Sequence, residues 1–382
     1  MQQSHKKVCR KGYVTWEQNK KNVNRGLAVP FFVILFLMIP LILQGVEPDF
    51  YVWQREHGTN VENAVRNYYR SGSGKLYFLA GEMENDGKTF AFAPEKYVDL
   101  SRAVPVVRIH IRHMKKSPAK LAGELVRFYL PWKAAKEFQI DLDAPESRIS
   151  YYRQLMVELR RRLPGVKLSA TVLPCHLKHT GEFRALAKVC DYYVLQVHAL
   201  TNDGKRWFIL DKATAFQALA RAKALRHPFK TALPFYCHTV RGGKHVEPDM
   251  NIVGELAAAS PEVIAFRLGI SGDGESLDLQ TALKICREGK YAPSLEFYWE
   301  RQANGVWHFR VRNNGCFSKT VTLNCHWETK ISYLNLGTFN NARFSFDRKS
   351  LTLRLPPSSE SKPYFWIRSE DPQKAIKVTI QK

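Results

Sequence analysis

Several kinds of chemistry leave no trace in this 382-residue chain. Its seven cysteines form no CxxC pair and no zinc spacing. No GxSxG elbow is present to carry a serine nucleophile. No glycine-rich phosphate loop follows the first strand-like segment, which argues against a doubly wound nucleotide-binding sheet. No cofactor is therefore expected. Acidic residues are scarce, 35 against 58 Lys and Arg, giving a net charge of +23. That excess favours phospholipid headgroups, acidic polysaccharide or nucleic acid as surroundings or ligand, without choosing among them. Runs such as Lys115-Lys116 and Arg160-Arg161-Arg162 are short and lack interleaved stacking aromatics, so no nucleic-acid partner is expected.

One long hydrophobic run is present. Residues 27–43, LAVPFFVILFLMIPLIL, are uncharged. At about 1.5 Å per residue they reach roughly 26 Å, the short end for a spanning helix. Residues 1–26 before them hold seven cations against Glu17. The expectation is a basic cytoplasmic tail (1–26) and a transmembrane anchor (27–43), with the C-terminal bulk on the periplasmic side of an envelope. A cleaved signal peptide is the alternative: Gly45 suits the position before a cut, whereas Leu43 does not suit the position two residues earlier. If the bulk is exported, Cys316 and Cys325 are the first candidates for a disulfide. Cys190 and Cys286, among apolar neighbours, read equally well as buried thiols.

Beyond Pro48 short β-branched and aromatic runs alternate with helix-period segments. Strands are expected at 50–54, 75–82, 104–112, 137–143, 166–173, 191–198, 229–236 and 263–269. Helices are expected at 59–70, 118–136, 146–163, 182–189, 212–226, 250–260 and 277–288. This predicts an α/β fold, a (β/α)8 TIM-like barrel over 48–291, although 83–103 shows no helix between the second and third strands. A doubly wound open sheet is the alternative. From 292 to 382 the texture changes to alternating strands (295–300, 306–312, 320–326 and 350–355), with a hairpin signal at Asn304-Gly305. A small antiparallel β-sandwich is expected there.

Alternate residues of a strand share a face. In FQIDLDAP this groups Gln139, Asp141 and Asp143 against Ile140 and Leu142, which should meet the helices. Two carboxylates then point into the barrel, with Asp143 at its C-terminal rim. Arg108, His110 and Arg112 group on the third strand, and Gln196 with His198 on the sixth. Glu82, Tyr236, Arg267 and Trp53 sit at or near other strand ends. Barrel active sites form at the C-terminal ends of strands, so Asp141, Asp143 and Glu82 are the catalytic candidates. Trp53, Arg108, His110, Gln196, His198, Tyr236 and Arg267 are the substrate-binding ones. Paired carboxylates suit glycoside hydrolysis, in which one donates a proton and the other attacks, activates water or stabilises charge. The competing reading is an internal ion-pair network in which Arg108 and Arg267 neutralise Asp141. A metal site built from His110, His113, His198 and the carboxylates is disfavoured, because His110 and His113 lie on opposite strand faces unless the chain turns.

The pieces YVWQRE (51–56), LYFLAGE (76–82), VVRIHIR (106–112), IDLDAP (140–145), ISYYRQLMVELRRRLP (149–164), YYVLQVHAL (192–200) and FKTALPFY (229–236) resemble the bacterial family of domain of unknown function 3142. The resemblance covers most of 48–290 and extends to the β-rich tail. It implies a barrel-like architecture behind a signal or anchor, and no activity. The fourth strand is also similar to that of family 18 chitinases, whose motif ends hydrophobic-Asp-x-Asp-x-Glu. Asp141 and Asp143 match its aspartates, but Pro145 occupies the position of its catalytic glutamate and Glu146 follows. The resemblance carries that chemistry over only if Glu146 or Glu82 takes the glutamate's place. The expected ligand is a polysaccharide, either cleaved by carboxylate acid/base chemistry or, as an anionic glycan, merely bound. A structural envelope protein is the third possibility.

Overall fold

The computed structural model describes residues 47–291 apart from 242 and 244, and most of the strands between 295 and 380. The expected tail and anchor (1–26 and 27–43) lie outside the described residues. Among the described residues no helix is long and apolar enough to cross a membrane.

Eight parallel strands close into a ring: β1 (Asp49–Val52), β2 (Leu76–Met83), β3 (Ala103–Ile109), β4 (Glu137–Leu142), β5 (Lys167–Val172), β6 (Tyr192–Gln196), β7 (Phe229–Pro234) and β8 (Val263–Phe266). β1 pairs with both β2 and β8, so the sheet has no open edge and the doubly wound alternative falls. Seven helices follow strands: α1 (Thr59–Ser71), α2 (Pro118–Tyr129), α3 (Ile149–Arg162), α4 (Thr180–Ala187), α5 (Lys212–Leu225), α6 (Met250–Ala259) and α7 (Leu279–Glu288). The link from β2 to β3 holds no helix; a short strand, Thr89–Ala91, folds back antiparallel onto β2.

Strand alternation sorts the side chains. Phe50, Val52, Ile140 and Leu142 join the cluster under the helices, while Tyr51, Tyr77, Val104, Val106, Val194, Ala232 and Ile264 fill the interior. β2 breaks the rule usefully. Tyr77 and Glu82 are five positions apart, yet Glu82 pairs with the interior residue Arg108, because a bulge between Leu79 and Gly81 shifts the register. One extra residue flips every side chain beyond it to the other face. Gly81 is required where the strand passes α2: a Cβ there would lie 2.3 Å from the Phe128 ring.

The N-terminal end of the ring is closed by charge. Lys230 Nζ lies 2.6 Å from Asp49 and 2.8 Å from Glu262, over the Tyr77 and Tyr192 rings. Tyr77 and Tyr192 share a 2.8 Å hydrogen bond, and Glu137 accepts from Tyr192 and from Lys75.

The C-terminal part forms two four-stranded antiparallel sheets. One orders Leu295–Arg301, Val306–Asn313, Phe365–Arg368 and Tyr333–Asn335. The other orders Ala342–Phe344, Ser350–Leu355, Lys319–Trp327 and Ile376–Ile380. Phe309, Phe365 and Ile367 from the first meet Leu323, Cys325, Leu351 and Leu353 from the second, as a β-sandwich requires. Gly305 turns the first hairpin at φ +76°. Cys316, the suggested partner of Cys325, lies outside the described residues.

Removing one partner of a buried ion pair strands the other charge. Lys230→Met should therefore lower the unfolding free energy by about 3–5 kcal/mol in urea titration. Asp49→Asn in the same chain should recover part of that loss, and purely additive effects would show that the two residues do not interact.

Candidate functional site

Three neighbouring strands place Glu82, Arg108 and Asp141 at one level: Glu82 is in register with Arg108, and Arg108 with Asp141. Asp143 follows one step beyond the end of β4. These four, with Glu84 and His110, line a pocket of 270 Å³ at the C-terminal ends of β2, β3 and β4.

Glu82 has a side chain only 4% exposed and is gripped from two sides. Arg55 donates Nε to one carboxylate oxygen at 2.5 Å, and Arg108 reaches the other at 3.3 Å. Arg55 also holds Glu84. Asp141 has poorer company. Desolvation pushes its pKa up to about 7 and the charge of Asp143 adds to the rise; a hydrogen bond from Thr171 and the positive charge of Arg108 oppose it. Asp143 is raised as well, by desolvation, against the pull of Arg108 and His176. Two carboxylates so placed resist joint ionisation, so the pair retains a proton toward neutral pH.

Below them Gln139 donates to the Tyr51 hydroxyl at 2.7 Å and to Thr171 Oγ1 at 2.8 Å, which fixes the hydroxyl beside Asp141. Behind Asp143, the buried His176 ring contacts the Ala144 carbonyl at 2.7 Å, and its Nδ1 accepts from the Leu173 backbone N–H at 3.2 Å. That bracing holds the loop in which Asp143 sits.

The remaining candidates are dispersed. His110 caps the short helix Ile111–Lys115, accepting from the Arg112 N–H at 3.2 Å. This turn carries His113 away to the Glu84 carbonyl, 2.9 Å distant. Trp53 packs edge-on against Tyr51 and Phe266, both at about 5.4 Å between centroids, and stays half-buried. Tyr236 and His198 meet the same Phe266 ring. Together these rings form one aromatic cluster, and none of them lines the carboxylate pocket. Arg267 binds Asp273 and Ser276, each at 2.8 Å, so its charge is spent on the loop after β8 rather than on Asp141. Gln196 and His198 line a different pocket. Glu146 binds His179 at 2.6 Å and faces Lys178 at 3.9 Å, and it does not line the carboxylate pocket. Among the described residues no group of three His, Cys, Asp or Glu could hold a metal. Sequence reasoning missed Arg55, Thr171 and His176. The first lies in a loop, and the other two act through neighbours on other strands.

Residues 102–265 match the family described as Domain of unknown function (DUF3142), in agreement with the sequence resemblance. No curated protein matches the chain. Among solved structures, the spore cortex-lytic enzyme SleL of Bacillus megaterium QM B1551 is similar at 9% identity and a TM-score of 0.43. The match covers 81% of this chain and 65% of that enzyme, so this chain spans under two thirds of its length. A chitinase of Chromobacterium violaceum ATCC 12472 is similar at 12% identity and a TM-score of 0.45, over 64% of this chain and 98% of that one. A fungal endo-beta-N-acetylglucosaminidase of glycosyl hydrolase family 18 gives 10% identity and a TM-score of 0.43, over 64% and 98%. At these scores the barrel assignment rests on the strand pairing itself.

The raised Asp141 has a consequence for stability. The folded chain binds more protons than the unfolded chain between the ordinary Asp value and about 7, so this contribution to stability falls as pH rises through that window. Asp141→Asn should flatten the decline and raise the melting temperature at pH 8, by roughly 2–4 °C for each kcal/mol relieved. An unchanged or lowered melting temperature at pH 8 would mean that Asp141 is adequately compensated.

Proposed function

We propose that this chain, whose residues 102–265 form a DUF3142-family segment, hydrolyses glycosidic bonds of a polysaccharide in the pocket between β2, β3 and β4. The observation that carries this reading is the placement of Asp141 and Asp143 two residues apart in one pocket at the open end of the ring, where desolvation raises both pKa values and favours a shared proton. A glycosidic oxygen is a poor leaving group until protonated, so a carboxylic acid that survives near neutral pH is the reagent required. In the proposed reaction the proton shared by the pair passes from Asp141 to Asp143, which gives it to the leaving oxygen as the bond to the anomeric carbon breaks. Ionised Asp141 stands against the positive charge developing on the sugar ring. Asp143, now a carboxylate, then takes a proton from the water that adds to that carbon, which restores the pair.

The other residues serve these two. Glu82 is held as an ion pair by Arg55 and Arg108, which suits it to fixing Arg108 rather than donating a proton. Arg108 and His110 line the pocket and would bind hydroxyl or acidic groups. Trp53 and Tyr236 pack on Phe266 outside that lining and would meet only a sugar that extends beyond it. We also propose that residues 27–43 anchor the chain in a membrane with the barrel on the extracytoplasmic side. The uncharged run and the cations placed before it support this.

One observation favours binding without turnover. Pro145 stands where family 18 chitinases carry their acid, and Glu146 is turned toward His179 and Lys178.

Turnover of neutral and acidic glycans by the full chain, read as new reducing ends, separates the two readings. Asp143→Asn should cut the rate by about 10²–10⁴ while binding persists. Activity should fall as pH rises through about 7, as the pair loses its proton. A parent chain that binds a glycan and releases no reducing ends would establish the binding reading instead.

A further inference from the structure

A second pocket, 440 Å³ in volume, opens beneath a hairpin that follows β6 and shares no lining residue with the carboxylate pocket. The hairpin strands are His198–Asn202 and Trp207–Leu210, and the far wall is the face of α5 that carries Thr214, Gln217, Ala218 and Arg221. The size is that of a small-molecule site, and the lining is of the matching kind, apolar with a few polar groups. Leu173, Val197 and Phe208 supply apolar surface, and Cys175 lies at the pocket beside them.

Two polar groups in this lining have unmet capacity. Arg221 is half-buried on α5 and has no hydrogen bond or ion pair among the described residues. The pocket's carboxylate, Asp211, accepts instead from the Thr214 N–H at 2.8 Å to cap α5. His198 is 6% exposed, and neither ring nitrogen has a hydrogen-bond partner among the described residues. Desolvation pushes its pKa down to about 3, so the ring is neutral and carries one donor and one acceptor. A buried polar group without a partner costs free energy that a ligand can recover, and a half-buried guanidinium with no internal partner can form a charge-assisted pair with a carboxylate.

We propose that this pocket binds a carboxylate carried on a compact, partly apolar body, with the carboxylate on Arg221 and the body against Leu173, Val197 and Phe208. The carboxylate belongs either to an acidic sugar unit or to a free amphiphilic acid. The proposal is independent of catalysis at Asp141 and Asp143.

Cys175 provides a local readout, because it is half-buried while Cys190, Cys237, Cys286 and Cys325 are buried. Iodoacetamide alkylation of the full chain, followed peptide by peptide by mass spectrometry, is measured with trigalacturonate, with 2-naphthoate and with neutral 2-naphthamide. One of the two acids should slow alkylation of Cys175, and which of them does so identifies the source. Arg221→Gln should raise the concentration needed for that protection by about tenfold, and Arg221→Lys by less. The proposal is overturned if neither acid protects Cys175, or if protection is indifferent to Arg221→Gln. Should Arg221→Gln fail to fold, equal protection by naphthoate and naphthamide in the parent chain overturns it on its own.

Discussion

Repulsion between Asp141 and Asp143 is the interaction on which the mouth of the barrel depends. Asp143 follows Asp141 by two residues, one step past the end of β4, so the two lie roughly 7 Å apart along the backbone and line the same pocket. The closed ring then removes water from around Asp141 and leaves it short of compensation. Arg108 is the cation best placed to neutralise it, lying in register one strand away. Glu82, in register on the other side, shares that guanidinium and also repels Asp141 directly. Arg55 then completes the pairing of Glu82. Charge is thus divided unequally among three carboxylates: Glu82 is satisfied twice, and the aspartates are left to hold a proton between them.

The eight strands and seven helices were legible because every strand but one keeps a strict two-residue alternation between helix-facing and interior side chains. The exception explains what was hidden. Glu82 reaches the interior only through the bulge between Leu79 and Gly81, and a bulge leaves no periodic mark in a sequence. Its one local trace is Gly81, since a glycine inside a strand often signals a bulge or a close approach. The helix-free link over 83–103 was visible as a gap, whereas its short strand folding back on β2 was too brief to announce itself. In the sandwich, the four strands with clear alternation stood out. Tyr333–Asn335 and Ala342–Phe344, three residues each, carry too few positions to show a period.

The grouping of polar candidates succeeded inside the hydrogen-bonded ladders and failed beyond them. Arg108 and Asp141 lie within β3 and β4 and converge. His198, Tyr236 and Arg267 all lie past the last residue of their strands, where the chain no longer alternates. The consequence is largest at β6. It ends at Gln196, and the chain turns at once into the hairpin, so two residues that looked like part of one interior face line a separate pocket. Arg55, Thr171 and His176 escaped for a related reason: each acts on an adjacent strand or its loop, on a residue far from it in sequence, and no spacing rule connects them.

The two ends of the ring use similar groups to opposite effect. At the N-terminal end Asp49 is also desolvated, and burial still holds its pKa above the ordinary carboxylate range although Lys230 pulls it down. There the cation is nearly enclosed and in direct contact, so the charges remain paired and the end is sealed. At the C-terminal end Arg108 is exposed and its reach to Glu82 is long, so its field is shared with solvent and with three carboxylates. The first arrangement favours stability. The second leaves an electrostatic cost in place, and a cost of that kind persists in a fold whose other strands supply ample apolar burial. The contrast between the ends marks the candidate site more sharply than the identity of any single residue, since carboxylates are present at both and only at the C-terminal end do they line a pocket with positive charge divided unequally among them.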